Sequence, residues 1–310
     1  MTLLLLDSAS LWYRAFYGLP QSMVSPSGHP VNAIRGYLDS VARMAVTYQP
    51  DRIVACLDGD WRPSWRTDLI PEYKANRISE ESEEESEDGS LSEAAEELEI
   101  LEAQVPVIME VLDLIGIPLI GIDDYEADDV IATLSVREPG PTFIVTGDRD
   151  LFQLVDDKRK VKVAYIAKGI SQHELVDLKW IKNKYEIPGD RYALFATFRG
   201  DPSDGLPGAR GIGPKGAATI ANQFGSIKEV ISAAKKSDPI LSGSLQKKII
   251  ESADYLLKAE VVVNCVDNLR LPKGPFDLPK KVPNSKALEI LAKNYGIESS
   301  VKRLLSALEL

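Results

Sequence analysis

The sequence predicts an α/β protein: a mostly parallel central sheet flanked by helices, followed by a smaller helical domain. Three observations predict it. The short apolar runs TLLLLD, RIVACLD and TFIVTGD read as buried strands ending at Asp7, Asp58 and Asp148, and continuous apolar strands are what a parallel sheet covered on both faces requires. Between the first two runs, Val31, Ile34, Leu38, Val41, Met44 and Ala45 recur at helical spacing, which gives a helix over about 31–49 and a strand, helix, strand order. After about residue 170 the texture changes to short helical segments divided by glycine and proline, rich in lysine and without a strong strand pattern.

The elements follow in that order. A strand-like IPLIGI precedes DDYEADD, and VIATLSV continues it as a helix. LVDLKWIKNKY, DRYALFATF, KGAATIANQF, SIKEVISAA and SLQKKIIESADYLLKAEVVV are the helical segments of the second part. The boundary is expected near residue 170, giving an α/β domain over 1–170 and a helical domain over 171–310. One segment fits neither. From Ser79 to Glu102 the chain has twelve carboxylates and no basic residue, so its first half is expected to be disordered or weakly ordered when free. Its second half, from SLSEAAEELEILE onward, begins with a serine that can cap a helix.

Charge and composition narrow the chemistry. The 36 Lys+Arg and 47 Asp+Glu give a net charge of −11. The halves differ: residues 1–150 hold 10 basic and 29 acidic residues, whereas residues 151–310 hold 26 and 18. Such an asymmetry signals a charged partner or site. The two cysteines, Cys56 and Cys265, lie in apolar surroundings, which favours buried thiols in a reducing compartment over a disulfide or zinc cluster. His29 and His173 stand alone without ligand spacing. No apolar run approaches the ~18 residues of a membrane span, and Leu3–Leu6 is too short for a signal-peptide core. A cytoplasmic protein is expected, with its chemistry drawn from carboxylates, lysine, arginine and bound metal.

Nine carboxylates fall in five clusters at expected element ends. Asp7, Asp58 and Asp148 leave strand ends, Glu126, Asp128 and Asp129 open a helix, Asp150 follows Asp148 by two residues, and Asp201 and Asp204 open a glycine-rich turn. In an open parallel sheet ligands bind at the carboxyl ends of the strands. Packing so many like charges there is costly unless cations bind them. Mg²⁺ and Mn²⁺ match all-oxygen ligands, and two-metal sites hydrolyse phosphodiesters. Taken singly, each cluster is an ordinary cap or turn; jointly they predict a metal site. Downstream, GLPGARGIGPKGAATI has the form of a helix-hairpin-helix, which grips DNA backbone through N–H groups without reading bases, with Lys215 adding charge at the following helix start.

The order LLLLD, CLDG, PEYKANR, YEADD, TGDRD, GDPSDGLPG and GIGPKGA resembles the flap endonuclease or 5′ nuclease family. More narrowly, it is similar to the bacterial 5′-3′ exonucleases related to the amino-terminal nuclease of DNA polymerase I. The resemblance covers essentially the whole chain and implies a free-standing bacterial flap endonuclease, since 310 residues leave no room for polymerase and proofreading domains. It implies that the nine carboxylates hold two or more Mg²⁺ or Mn²⁺ ions, and that Lys74 and Arg77, at the base of a helical arch spanning about 73–105 with the acidic segment, contact the scissile phosphate. Arg14 would bind phosphate, and Tyr13, Tyr17 and Tyr73 are candidate stacking surfaces. Gly208, Gly211, Gly213 and Lys215 would hold duplex backbone, with K⁺ bound by carbonyls of the Gly208–Gly213 turn.

Two positions depart from the family pattern: Gly205 stands where asparagine is usual, and Gly216 where threonine is usual. The acidic segment replaces an arch that is often basic in relatives, and residues 79–90 are expected to form a mobile loop held away from the metals that competes weakly with DNA for the basic surface. The expected substrates are DNA 5′ flaps, 5′ overhangs and nicked duplex, in replication and repair, cut by a monomer associated with the nucleoid and no membrane. Two rivals remain: a catalytically inactive DNA-structure-binding relative, which missing ligands would favour, and an acidic-site RNase, in which the hairpin would be unexpected.

Overall fold

The computed structural model describes residues 1–77, 93–241 and 243–310, so the acidic run over 79–90 lies outside the described residues. Six strands form one sheet: β1 Leu3–Asp7, β2 Arg52–Cys56, β3 Leu119–Ile120, β4 Thr142–Thr146, β5 Val161–Tyr165 and β6 Glu174–Val176. Their order is β3-β2-β1-β4-β5-β6, with β1 to β5 parallel and β6 antiparallel to β5. The expected α/β architecture with a mostly parallel sheet is therefore present. Chain order reverses between β1 and β4, the switch point at which such sheets open a crevice.

Alternation along the strands builds two cores. Leu3 and Leu5 of β1, Val54 and Cys56 of β2 and Ile144 of β4 face one side; Leu4 and Leu6, Ile53 and Ala55, and Val145 face the other. All of these are fully buried, which is why the runs are apolar throughout rather than alternating. The helices of the first part are α1 Ser8–Gly18, α2 Asn32–Tyr48, α3 Ser64–Leu69, α4 Glu93–Glu102, α5 Val105–Ile115 and α6 Ala127–Arg137. Helix α2 packs on the Leu4/Leu6 side, α6 on the Leu3/Leu5 side. The N-terminal N–H groups of α2 have no cap of their own. Gln104, buried just before α5, supplies it from 71 residues away: its Oε1 accepts from Ala33 N at 2.9 Å.

The second part contains α7 Leu178–Tyr185, α8 Tyr192–Arg199, α9 Pro214–Gln223, α10 Ile227–Lys235, α11 Ser244–Glu251 and α12 Ala253–Val263. These pack with α6 on the Leu3/Leu5 side. Helices α13 Ser285–Tyr295 and α14 Glu298–Ala307 do not join them. Leu288, Leu291, Val301 and Leu304 return to the opposite core with Leu4, Leu6 and α2, so residues 285–310, grouped by the sequence with the second part, are built onto the first.

Three local expectations are corrected. β5 lies in KVKVAY, where lysines alternate with valines and mask a strand next to the sheet edge. β6 is three residues long and too short to show a period, so the second part does begin with a strand. The segment from Ser244 to Val263 breaks at Ser252 into two helices. No described helix is long and apolar enough to cross a membrane.

Candidate metal and phosphate site

β1 ends on Asp7 itself, whereas β2 and β4 each end two residues before their aspartates, so Asp7, Asp58 and Asp148 leave one edge of the sheet. Asp7 also caps α1: Oδ1 accepts from Ser10 N at 3.1 Å and Oδ2 from Thr146 Oγ1 at 2.6 Å. Thr146 Oγ1 accepts from Asp148 N at 2.8 Å, and Asp148 Oδ1 from Asp150 N at 2.8 Å, so the D-x-D pair is hung from the end of β4. Asp58 Oδ1 accepts from Ala127 N at 2.8 Å, binding the second strand end to the start of α6. Gly59 allows that approach, since a Cβ there would lie 1.9 Å from Ile122 O.

The electrostatics of this edge are those of a crowded anionic site. Burial, reinforced by Asp58 and Asp148 against the Thr146 hydrogen bond, pushes the Asp7 carboxyl up to about 7. Burial together with Asp148, Asp7 and Glu126 holds Asp128 well above the ordinary carboxylate range. Burial with Asp148, Asp204 and Asp201 does the same to Asp150, whose Oδ1 is buried without a hydrogen-bond partner. Eight of the nine expected carboxylates are thus brought into one interacting cluster. No three described carboxylates already converge on one point as ligands; Glu126, Asp204 and Asp201 are each held by a lysine or arginine. The fit to divalent cations is nonetheless good, because a buried acceptor without a donor and mutually repelling carboxylates are both relieved by an ion.

Asp129 is not part of that cluster. Its two oxygens accept from Arg66 Nη1 and Nη2, each at 2.8 Å, and it takes a further hydrogen bond from Val266 N at 2.7 Å. Arg66, on α3, is 2% exposed and also bonds Glu126 Oε2 at 2.5 Å. Asp129 is therefore spent on a buried ion pair, a correction to its expected role as a ligand. Arg66 was not foreseen, because nothing in the mixed polar and apolar segment SWRTDLI marks this arginine as buried.

The PEYKANR segment docks on the D-x-x-D turn. Lys74 N donates to Asp204 O at 2.9 Å, Arg77 Nη2 to Asp204 Oδ1 at 2.7 Å and Asn76 Nδ2 to Ser203 O at 3.2 Å. Lys74 Nζ pairs with Glu126 Oε1 and donates to Trp61 O at 3.2 Å. Burial works against the Lys74 charge, and Glu126 and Asp204 outweigh it and raise its pKa. Lys74 has φ +52, so it precedes the helical turn of 75–77 and shares no helical face with Arg77. Tyr73 is 5% exposed and donates to Glu126 Oε2 at 2.9 Å; burial removes it from the stacking candidates. Tyr13 and Tyr17 are exposed. Asp201 is held by Arg149, Arg199 and Ser203; against the cost of burial, the Ser203 and Arg149 hydrogen bonds bring its pKa down. Arg149 and Arg199 were likewise not foreseen.

The departure at Gly205 has a steric cause. Its φ is +68, and a Cβ there would lie 2.0 Å from Glu72 O. Glycine lets the D-x-x-D turn touch the segment that carries Lys74. Gly205→Asn is expected to destabilise the protein by about 2 kcal/mol and to slow single-turnover cleavage, read by thermal melting and quench-flow; an unchanged Tm would refute the contact.

In the hairpin, Gly208 (φ +68) packs against Gly200, and its N–H donates to Tyr255 Oη at 3.2 Å, so that N–H faces the protein. Gly213 caps α9, and Lys215 is exposed in its first turn. Gly211 O accepts from Lys248 Nζ at 2.8 Å and Ala209 O from Ile212 N at 2.9 Å. The Ala209 and Gly211 carbonyls are therefore already engaged within the protein. Arg14 Nη2 donates to Ala167 O at 2.6 Å, just beyond the end of β5.

Comparison with known proteins decides the family. The model of the 5′-3′ exonuclease N-terminal resolvase-like domain matches residues 2–186, and that of the 5′-3′ exonuclease C-terminal SAM fold matches residues 187–286. The chain belongs to the 5′-3′ exonuclease family. A 5′-3′ exonuclease of Streptomyces coelicolor is 45% identical over 305 residues, 98% of this chain and 99% of that one. DNA polymerase I of Mycobacterium tuberculosis is 36% identical over 234 residues, 74% of this exonuclease-family chain and 24% of the polymerase. A bacteriophage T5 flap endonuclease, solved as a pseudo-enzyme-product complex with DNA and metal ions, has the same fold at a TM-score of 0.67 and 17% identity, with all of both chains covered.

Proposed function

We propose that the chain is a divalent-metal-dependent 5′ nuclease, hydrolysing a phosphodiester of DNA at 5′ flaps, 5′ overhangs and nicks as a flap endonuclease and 5′-3′ exonuclease in replication and repair. One observation carries this reading: the repelling, partly buried carboxylates at the carboxyl edge of the sheet, with a buried Asp150 oxygen lacking a donor. Asp7, Asp58, Asp128, Asp148 and Asp150, with Glu126, Asp201 and Asp204, are the residues that would hold Mg²⁺ or Mn²⁺. Bound there, such ions supply an activated water and charge stabilisation for the leaving oxygen. Lys74 and Arg77, tied to Glu126 and Asp204, sit where a phosphate drawn to the carboxylates enters their field and offset its developing charge. The protein would act as a monomer at the nucleoid.

Gly213 and Lys215 would hold duplex backbone irrespective of sequence. The decisive experiment incubates the protein with end-labelled flap, nicked, overhang, blunt and RNA substrates in Mg²⁺, Mn²⁺ or chelator. Ion-dependent release from DNA 5′ ends is expected; cleavage of RNA alone, or none with either ion, refutes the reading. Lys215→Ala is expected to weaken binding to all duplexes alike and to reduce the salt slope by roughly one, measured by anisotropy titration over a range of KCl.

A further inference from the structure

Each carboxylate of the D-x-x-D turn is held by an arginine from outside the turn. Arg77 Nη2 donates to Asp204 Oδ1 at 2.7 Å, and Arg149, the residue between Asp148 and Asp150, donates to Asp201 Oδ2 through Nη2 and, at 3.1 Å, through Nε. The two pairs match in setting as well. The arginine side chains are 43% and 41% exposed, whereas their carboxylates are 13% and 9% exposed. The nuclease reading sets Arg77 beside the phosphate on this footing and leaves Arg149, at the other end of the turn, without a role.

Asp201 is saturated. Its Oδ1 accepts from Ser203 N at 3.1 Å and from Ser203 Oγ, and its Oδ2 accepts from both Arg149 nitrogens, with Arg199 Nη2 at 3.6 Å. A carboxylate offers about four lone-pair sites, so these donors fill it, and an ion can take Oδ2 only by displacing one of them. Arg199 is firmly held: its side chain is 13% exposed, its Nε donates to Gly200 O at 3.1 Å, and its guanidinium carbon lies 5.3 Å from the centre of the Phe195 ring. The Arg149 side chain, among the described residues, bonds Asp201 alone. Arg149 is therefore the one that gives way, and Arg199 stays as a fixed countercharge.

We propose that Arg149 is a further phosphate-binding residue of this site, held on Asp201 until a divalent ion takes that carboxylate and then free to contact the DNA backbone beside the cut. The proposal rests on the nuclease reading and adds a coupling to it. Ion and DNA each favour the state in which Asp201 and Arg149 are apart, so each tightens the binding of the other. The guanidinium stays charged wherever it turns, and its paired N–H groups suit a phosphate as they suit a carboxylate, so the exchange leaves Arg149 partnered.

The test uses the full chain with Arg149→Met and Arg149→Lys. Mn²⁺ is first titrated into DNA-free protein by calorimetry. Arg149→Met is expected to bind the ion about fivefold more tightly, the scale of one exposed ion pair that no longer has to be broken, and Arg149→Lys, which keeps the charge and loses the fork, should fall between. Binding to a nicked duplex is then followed against KCl, in chelator and in saturating Mn²⁺, with Asp150→Asn in every protein so that the DNA is not cut. In Mn²⁺, Arg149→Met is expected to lower the magnitude of the salt slope by about one and Arg149→Lys to restore it; in chelator neither should change it. Mn²⁺ binding by Arg149→Met that is no tighter, or a slope that changes equally or not at all in the two conditions, overturns the proposal. If the unsubstituted protein binds no Mn²⁺, the nuclease reading falls with it, whereas normal binding of ion and DNA confines the failure to Arg149.

Discussion

Asp150→Asn is expected to reduce cleavage at saturating DNA by at least about a hundredfold, since losing a charge that holds the ion removes several kcal/mol of stabilisation and each ~1.4 kcal/mol is a tenfold in rate. The same substitution is expected to raise Tm in chelator. In the metal-free protein this carboxylate is disfavoured first by burial and then by Asp148, Asp204 and Asp201, and an amide removes the charge; sites built for function commonly trade stability in this way. The pH dependence has a definite sign. Asp7 is raised to about 7 when folded, against ~3.9 for an unperturbed aspartate, so the folded state holds a proton that the unfolded chain loses first. Its stabilising contribution is full below about pH 4 and is lost as pH rises through 7. Melts in chelator should therefore fall between pH 5 and 8, and Mn²⁺ should restore Tm at the upper end. Near-normal turnover of Asp150→Asn would remove the ligand assignment; a lower Tm in chelator would remove the repulsion account.

Arg66→Ala is expected to cost about 3–5 kcal/mol of stability, the penalty of leaving a buried charge without its partner. Asp129 is wholly buried and takes both of its side-chain ion-pair contacts from Arg66. Arg66→Lys should recover only part, because an ammonium cannot reproduce the paired contacts of the guanidinium fork. Replacing Arg66 by Met and Asp129 by Leu together should cost less than Arg66→Ala alone, since an apolar pair leaves no orphaned charge. Denaturant unfolding of the three variants checks the order. If Arg66→Ala unfolds like the wild type, the buried network does not hold the start of α6.

The fold was legible where one residue's environment is set by its near neighbours in the chain. Four consecutive leucines before Asp7 read as a strand covered on both faces, and helical spacing fixed α2 to within a residue at each end. β5 and β6 were not legible, because strands near a sheet edge bury one face and β6 is too short to show it. The return of α13 and α14 to the Leu4/Leu6 core could not be read locally either, since an amphipathic helix specifies that it must bury a face and not against which partner.

The same division runs through the candidate site. The sequence by itself determined the carboxylate types, their positions at element ends and the glycine-rich hairpin, because caps, strand ends and turns are encoded within a few residues. Only the tertiary structure decided which carboxylate meets which cation. Asp128 and Asp129 are neighbours in sequence, yet one turns into the anionic cluster and the other onto Arg66, 63 residues away. Lys248 reaches the hairpin carbonyl from 37 residues away, and Gly205 is glycine because the carbonyl of Glu72 lies where its side chain would be. Such pairings join segments whose separation along the chain carries no information about their distance in space, so they are settled by packing and charge balance in the folded molecule.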